Sequence, residues 1–154
     1  MEDKKPLKRA TELQPLSHDH HYALQLCWKI RTGFSKNIAV ERIKLYTDWF
    51  FENSLAEHFK LEEQDVFTVL EPGNELVKRA LLDHESLTTL FHAQSDVKEN
   101  LEKIESLLKA HIRFEERELF AEVQKIATPQ QLEKIEAAHA QDDFKEYDKD
   151  EFWL

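Results

Sequence analysis

The sequence predicts an all-α protein, an up-down-up-down four-helix bundle with a short fifth helix and a C-terminal tail. Three observations carry this. Apolar residues recur at three- and four-residue steps over four long stretches. Glycine is nearly absent, with Gly33 and Gly73 the only two in 154 residues, so the many turns of an all-β domain have no supply. The breaks between the stretches are short and sharp, as antiparallel helix neighbours require. Hydrophobic residues (41%) suffice for a sizeable core and charged ones (34%) can clothe it.

Residues 1–15 read as a polar arm ending at Pro15. Ser17 is placed to cap a first helix that runs to about Thr32, with Gly33 as its stop. Its apolar stripe is Leu16, Ala23, Leu24, Cys27 and Ile30. After the connector Phe34–Ala39, a second helix runs from about Val40 to Leu70, where Glu71-Pro72-Gly73-Asn74 ends it. A third covers about Glu75 to Ala93. Asp96 with Glu99 reads as a capping box opening a fourth helix, Val97 to Ala127. Thr128-Pro129-Gln130-Gln131 supplies a cap, a first-turn proline and a reciprocal glutamine, and starts a fifth helix reaching about Gln141. Residues 16–141 therefore form one bundle domain. The acidic tail 142–154 carries Phe144, Tyr147, Phe152 and Trp153, and the sequence is compatible with a docked tail or a loose one.

Several function classes fall away. A formal charge of −10, from 21 basic and 31 acidic residues, repels phosphate backbones, so no nucleic-acid partner is expected. No apolar run approaches a bilayer span, so no membrane role is expected. The charged start Met1–Lys8 leads into no apolar segment, which argues against a signal peptide. The single cysteine, Cys27, forbids an internal disulfide and suits a reducing compartment, predicting a cytoplasmic protein. No glycine-rich phosphate loop or Ser-His-Asp constellation is recognisable.

The inner faces carry the chemistry. On the second helix one stripe reads Phe51, Leu55, His58, Glu62, Val66, Val69, and on the fourth Leu101, Ile104, Leu108, His111, Glu115, Leu119. The third contributes Val77, Leu81, His84, Leu87 or Thr88, and Phe91. The first contributes Leu16, His20, Ala23 or Leu24, and Cys27. Each helix thus sets a histidine among core positions, and two add a carboxylate. Burying an unpaired carboxylate costs several kcal/mol, so two in one core need a common explanation. At about 1.5 Å per residue, His58, His84 and His111 fall at similar heights. His20 fits less well, and the first connector would have to absorb the difference.

An internal repeat runs through the same residues. His58-Phe-Lys-Leu-Glu62-Glu63 is matched 53 residues on by His111-Ile-Arg-Phe-Glu115-Glu116. A weaker echo pairs Asp19-His20 with Asp83-His84. Two helical hairpins, each giving one lone His and one H-x-x-x-E, suit two metal ions bridged by two carboxylates. Two divalent ions would bring +4 against the −2 of the glutamates. Imidazole with carboxylate suits iron or manganese, and less distinctively zinc.

At these residues the chain resembles the hemerythrin-like, HHE cation-binding family, over about residues 15–127. The motifs are Leu16-Ser-His18-Asp19-His20-His21, Glu57-His58-Phe-Lys-Leu-Glu62-Glu63, Asp83-His84-Glu85 and His111-Ile-Arg-Phe-Glu115-Glu116. The resemblance implies a four-helix bundle with two non-haem, carboxylate-bridged Fe ions. His20, His58, Glu62, His84, His111 and Glu115 would be the ligands, with roles in O2, NO, peroxide or iron handling. The expected partner is a small diatomic or peroxide ligand, and no electron donor is identified. The chain departs from the oxygen carriers of that family at two places. Thr88 stands where they have a further histidine, and Glu115, four residues after His111, stands in for an aspartate at five.

Other readings remain open at this level. His21 rivals His20, while His18 reads as a helix-end residue and His92, two turns past His84, as packing or surface. Glu63 and Glu116 turn about 100° away from the ligand stripe and either meet solvent or bind groups behind the ligands. Glu136-x-x-His139 reads as a solvated face, since a ferritin-like site needs two such motifs. Trp28, Tyr46, Trp49 and Phe50 read as packing, and Cys27 as core. A redox enzyme, a binding, sensing or storage module without turnover, and a metal-free bundle are all compatible with the pattern.

Overall fold

The computed structural model describes residues 8–139 and 144–154 and, among these, contains helices and no strand. The expected end of the fifth helix at Gln141 and the start of the tail at Asp142 lie outside the described residues.

A 3-10 turn, Thr11–Leu13, leads into α1 (Gln14–Ser35). The second helical run, 40–69, comprises α2 (Val40–Phe50), a π-helical turn Phe51–Leu55, α3 (Ala56–Leu61), a second π-helical turn Glu62–Val66 and a closing 3-10 turn Phe67–Val69. The third is α4 (Glu75–His92). The fourth, 97–126, joins α5 (Val97–Phe114), a π-helical turn Glu115–Leu119 and α6 (Phe120–Ile126). The short α7 (Pro129–Ala138) follows. The result is a helical bundle in which α1 packs on α5 and α2, and α4 on α5.

Thr128 and Gln131 act as expected and close a capping box on α7. Asn74, read in the sequence only as part of the break after the second helix, also caps α4: its side chain accepts from the backbone of Leu76 and Val77. Three differ. Ser17 does not cap α1, which begins three residues earlier with Pro15 in its first turn. Gly33 does not stop α1, because it is needed inside it. A Cβ there would lie 2.6 Å from Ile43 Cδ1 and 2.9 Å from Phe152 Cε1. The chain turns instead at Asn37, whose φ of 59° breaks the helical path. Asp96 precedes α5 but sits in the left-handed region (φ 50°, ψ 44°), away from the extended backbone that aims a capping carboxylate at the first amides, and makes no cap bond.

The core is divided. One apolar cluster gathers Leu26, Ile30, Tyr46, Phe50, Phe91 and Ile104 with their neighbours, and the other gathers Leu13, Leu16, Val66, Phe67, Phe120 and Val123 with theirs. Sequence positions place the histidines and glutamates of the inner faces between the two. Leu24 and Leu81, counted among the inner positions, are 38% and 41% exposed, and Ala23 and Ala80 are buried in their place.

The end of the chain is docked. Phe152 and Trp153 are buried against α1 and α2, and Phe144 stacks on Tyr22 with ring centres 4.2 Å apart. Lys29, 5% exposed, donates to Tyr46 Oη at 2.9 Å and to Glu146, and lies 4.0 Å from the centre of the Trp153 ring. Burial and Glu146 together push the Tyr46 hydroxyl above its ordinary range. A buried ammonium needs such partners, so Lys29 anchors the tail through charge and ring face together.

Candidate metal centre

His20, His58, Glu62, His84, His111 and Glu115 are all buried and converge at one level of the bundle. Helix periodicity alone does not bring them there. His58, Glu62 and Val66 are successive four-residue steps, as are His111, Glu115 and Leu119. Each such step overshoots a 3.6-residue helix by about 40°, so two would carry the third residue off the stripe. A π-helical turn begins at each glutamate, and its wider turn takes up the extra residue. The misfit of the first hairpin is absorbed similarly. α1 runs on to Ser35, and the π-helical turn Phe51–Leu55 shortens the rise from Val40 to His58. His20 Nε2 and His58 Nε2 end 3.1 Å apart.

The donor atoms form two matching groups. His20 Nε2, His58 Nε2, Glu62 Oε2 and Glu115 Oε1 make one; His84 Nε2, His111 Nε2, Glu62 Oε1 and Glu115 Oε2 make the other. In each set of four residues, one ligand atom from each residue lies within 4.8 Å of the others. Equivalent separations agree. His20 Nε2–Glu115 Oε1 is 3.0 Å and His84 Nε2–Glu62 Oε1 is 3.1 Å. His58 Nε2–Glu62 Oε2 and His111 Nε2–Glu115 Oε2 are both 3.3 Å. His20 Nε2–Glu62 Oε2 is 3.9 Å and His84 Nε2–Glu115 Oε2 is 4.0 Å. Each glutamate thus gives one oxygen to each group, and a pseudo-twofold relation follows the sequence repeat.

Behind each imidazole stands a carboxylate. His58 Nδ1 donates to Asp19 and His111 Nδ1 to Asp83, both at 2.9 Å. His20 Nδ1 donates to Glu116 at 2.6 Å and His84 Nδ1 to Glu63 at 2.7 Å. These contacts place a proton on every Nδ1 and turn every Nε2 inward. Each lone histidine is thus held by the glutamate that follows the other hairpin's buried glutamate. Each histidine of an H-x-x-x-E pair is held by the aspartate that precedes a lone histidine. The Asp-His echo and the doubled glutamate were the sequence signals. The sequence by itself leaves Glu63 and Glu116 between solvent and a place behind the ligands, and assigns no role to Asp19 or Asp83.

The electrostatics follow from the crowding. Burial raises the Glu62 carboxyl and the nearby charge of Glu115 raises it further. Burial also opposes ionisation of Glu115, but His111 and the hydrogen bond from His20 overcome it and hold that carboxyl well below its ordinary range. His111 would be neutralised by burial, yet Glu115 and Asp83 lift it to about 10. His20 and His84 rise likewise against burial, through Glu115 and Glu116 for the first and Glu62 and Glu63 for the second. In the metal-free chain, protons compensate the charge.

The residues fit a pair of cations better than they fit protons. Both Glu62 oxygens, Glu115 Oε2, His84 Nε2 and His111 Nε2 are buried with no hydrogen-bond partner among the described residues, although their neighbours stand only 3.1–3.3 Å away. Donor atoms at that spacing would serve as adjacent ligands of one ion, whose charge would compensate the buried carboxylates. Nitrogen and carboxylate oxygen compose both groups; Cys27 lies in the apolar core and burial pushes its thiol up to about 12.

Residues 11–123 match the hemerythrin HHE cation binding domain family. The chain belongs to that family. No curated protein and no solved structure matches it. As a hemerythrin-like cation-binding domain it carries a buried His/Glu cluster able to hold metal.

The rival positions are accounted for. His21 is exposed and pairs with Gln25 at 3.1 Å, and His18 stands edge-on to Tyr22 at the surface. His92 is exposed at the edge of Phe51. Glu136 is solvated as expected, but His139 is not: its Nε2 donates to Asp19 at 2.8 Å. Its helix is too short for a periodicity argument, so only the docking of α7 reveals this contact. No helix among the described residues is long and apolar enough to cross a membrane.

Proposed function

We propose that this chain is a non-haem diiron protein that reacts with O2, peroxide or NO inside an up-down-up-down four-helix bundle. His20 and His58 would hold one iron, His84 and His111 the other, and Glu62 and Glu115 would bridge them. The observation that carries this reading is the paired geometry: four imidazoles locked at Nδ1 by carboxylates, all facing two shared, otherwise unpartnered glutamates. Manganese or zinc would satisfy the same donors, but electron transfer to O2, peroxide or NO calls for a redox metal, which sets zinc aside in this reading.

Ferrous ions in such a site supply electrons and vacant positions for a small diatomic or peroxide ligand. The chain's own residues do the rest. Phe59 stacks on His84 at 3.8 Å and Phe120 on His20 at 5.3 Å, closing two walls of the site with apolar rings. Asp19, Asp83, Glu63 and Glu116 keep the imidazoles in one tautomer and orientation. Thr88 is short and borders a small cavity of about 310 Å³ with Phe59 and Glu63, the residues that stack on and hydrogen-bond to His84. The free thiol of Cys27 suits a reducing compartment, and we place the protein in the cytoplasm.

Metal analysis of protein purified without chelator, or loaded anaerobically with ferrous iron, tests this. About two irons per chain, and a spectrum that changes on adding O2, peroxide or NO, is the expected result. One zinc, or no metal after loading, would overturn it. A long-lived reversible complex without turnover would favour the binding-module form of the same site.

A further inference from the structure

We infer that His139 is a positioning residue that makes the two metal half-sites unequal and ties α7 to the occupancy of one of them. The inference rests on the diiron reading of the six inner residues.

The repeat relates the half-sites closely, so any difference must come from outside it. α7 is outside it. It packs on the Thr11–Leu13 turn and on the π-helical turn Glu62–Val66 that carries Glu62. Ile135 is its buried anchor, and Lys134 reaches Asp65 of that π-helical turn at 3.5 Å. His139 ends the helix, and its amide donates to the Ile135 carbonyl at 3.2 Å, fixing where the imidazole leaves the backbone.

That imidazole meets Asp19 Oδ2, the same oxygen that accepts from His58. A chain of three side chains therefore runs from α7 to His58 Nε2. Asp19 borders a cavity of about 1150 Å³ also lined by Trp49, His58, His139 and Tyr147. A carboxylate at such a border can trade protein partners for water. A second imidazole at 2.8 Å keeps it on His58. The counterpart, Asp83, has no such second partner: among the described residues the only imidazole that donates to it is that of His111. Carboxylates behind a metal-bound histidine orient the ring and strengthen binding. The half-site of His20 and His58 is therefore the better organised of the two. Conversely, an ion on His58 fixes Asp19 and with it the end of α7.

The test uses the full chain, stripped of metal and titrated with Co(II) against a competing chelator. The variants are His139→Ala, His139→Gln and Thr128→Ala. The unaltered chain should bind two ions with unequal affinity. His139→Ala should weaken the tighter ion about tenfold and leave the other unchanged. His139→Gln, whose amide N–H can reach Asp19, should restore most of the loss. Amide hydrogen exchange over 129–138 should slow on cobalt loading in the unaltered chain and not in His139→Ala. Thr128→Ala loosens the far end of α7 without touching Asp19, and should leave both affinities in place. If it reproduces the His139→Ala defect, or if His139→Ala weakens both ions equally or neither, the inference is wrong while the diiron reading stands. If the unaltered chain binds no metal, both fall.

Discussion

The two half-sites are built from one repeated pattern, yet they are braced differently. Their ligand separations agree almost pair for pair, and the imidazole pairs His20/His58 and His84/His111 have ring centres 4.9 and 5.0 Å apart. The differences begin behind the ligands. Glu116, behind His20, also accepts from Ser17 at 2.8 Å and pairs with Arg9 at 3.5 Å, and its backbone carbonyl accepts from Arg9. Glu63, behind His84, is 43% exposed and has His84 as its one hydrogen-bond partner among the described residues. Among the described residues, Asp19 holds a second histidine and Asp83 does not. Repeated helices thus specify the equivalence, while the segments outside the repeat, the N-terminal arm and α7, remove it.

The comparison can be broken outright at the shared residues. Glu62→Ala or Glu115→Ala should remove an oxygen from both half-sites and cost more than about 100-fold in affinity for each ion, read as metal retained after dialysis. Equal retention in Glu63→Ala and Glu116→Ala would overturn the assignment of the inner glutamates.

Next come the residues behind the ligands, which separate the half-sites. Asp19→Asn and Asp83→Asn should each weaken one ion about 10- to 100-fold and spare the other. His20→Ala should lose far more metal than His21→Ala, because His21 faces solvent.

The pH dependence sharpens the contrast between empty and loaded chains. His111 is raised from 6.5 to about 10, so its contribution to the stability of the metal-free fold is complete below pH 6.5 and is lost as pH rises towards 10. The Tm of the metal-free chain should fall over that range. Metal displaces the same protons, so binding should release them and tighten with pH, and the loaded chain should show a flatter profile. Parallel pH profiles for the two forms would contradict this.

Smaller effects should follow the unequal bracing. Glu116→Ala strips partners from Ser17 and Arg9 as well as His20, so it should cost about 1–2 kcal/mol more in denaturant unfolding of the metal-free chain than Glu63→Ala. Thr88→His should change the His84 half-site by only a few-fold in affinity, while slowing its reaction with peroxide or NO if the imidazole fills the open position.

Much of this was written in the chain order. Three- and four-residue spacing located the helices, the scarcity of glycine excluded the alternatives, and Thr128 marked the start of α7 because a side-chain cap is a local event. The six inner residues were legible because polar groups on an apolar stripe are costly and the cost appeared twice, 53 residues apart. Local rules failed where distant partners intervened. Gly33 looked like a helix stop, but Ile43 and Phe152 claim the space its side chain would fill. Ser17 looked like a cap and instead donates to Glu116, 99 positions away.

By itself, then, the sequence determined the helical class, most of the inner faces and the His and Glu composition of the buried cluster, since periodicity and the energetic penalty of buried charge both act along a single helix. Which nitrogen of each histidine turns inward, the wider turns that keep Glu62 and Glu115 on their stripes, and the attachment of His139 to Asp19 were decided only by tertiary structure. Those features depend on contacts between segments that share no periodic pattern, and the distance between such segments exists only once the helices have packed.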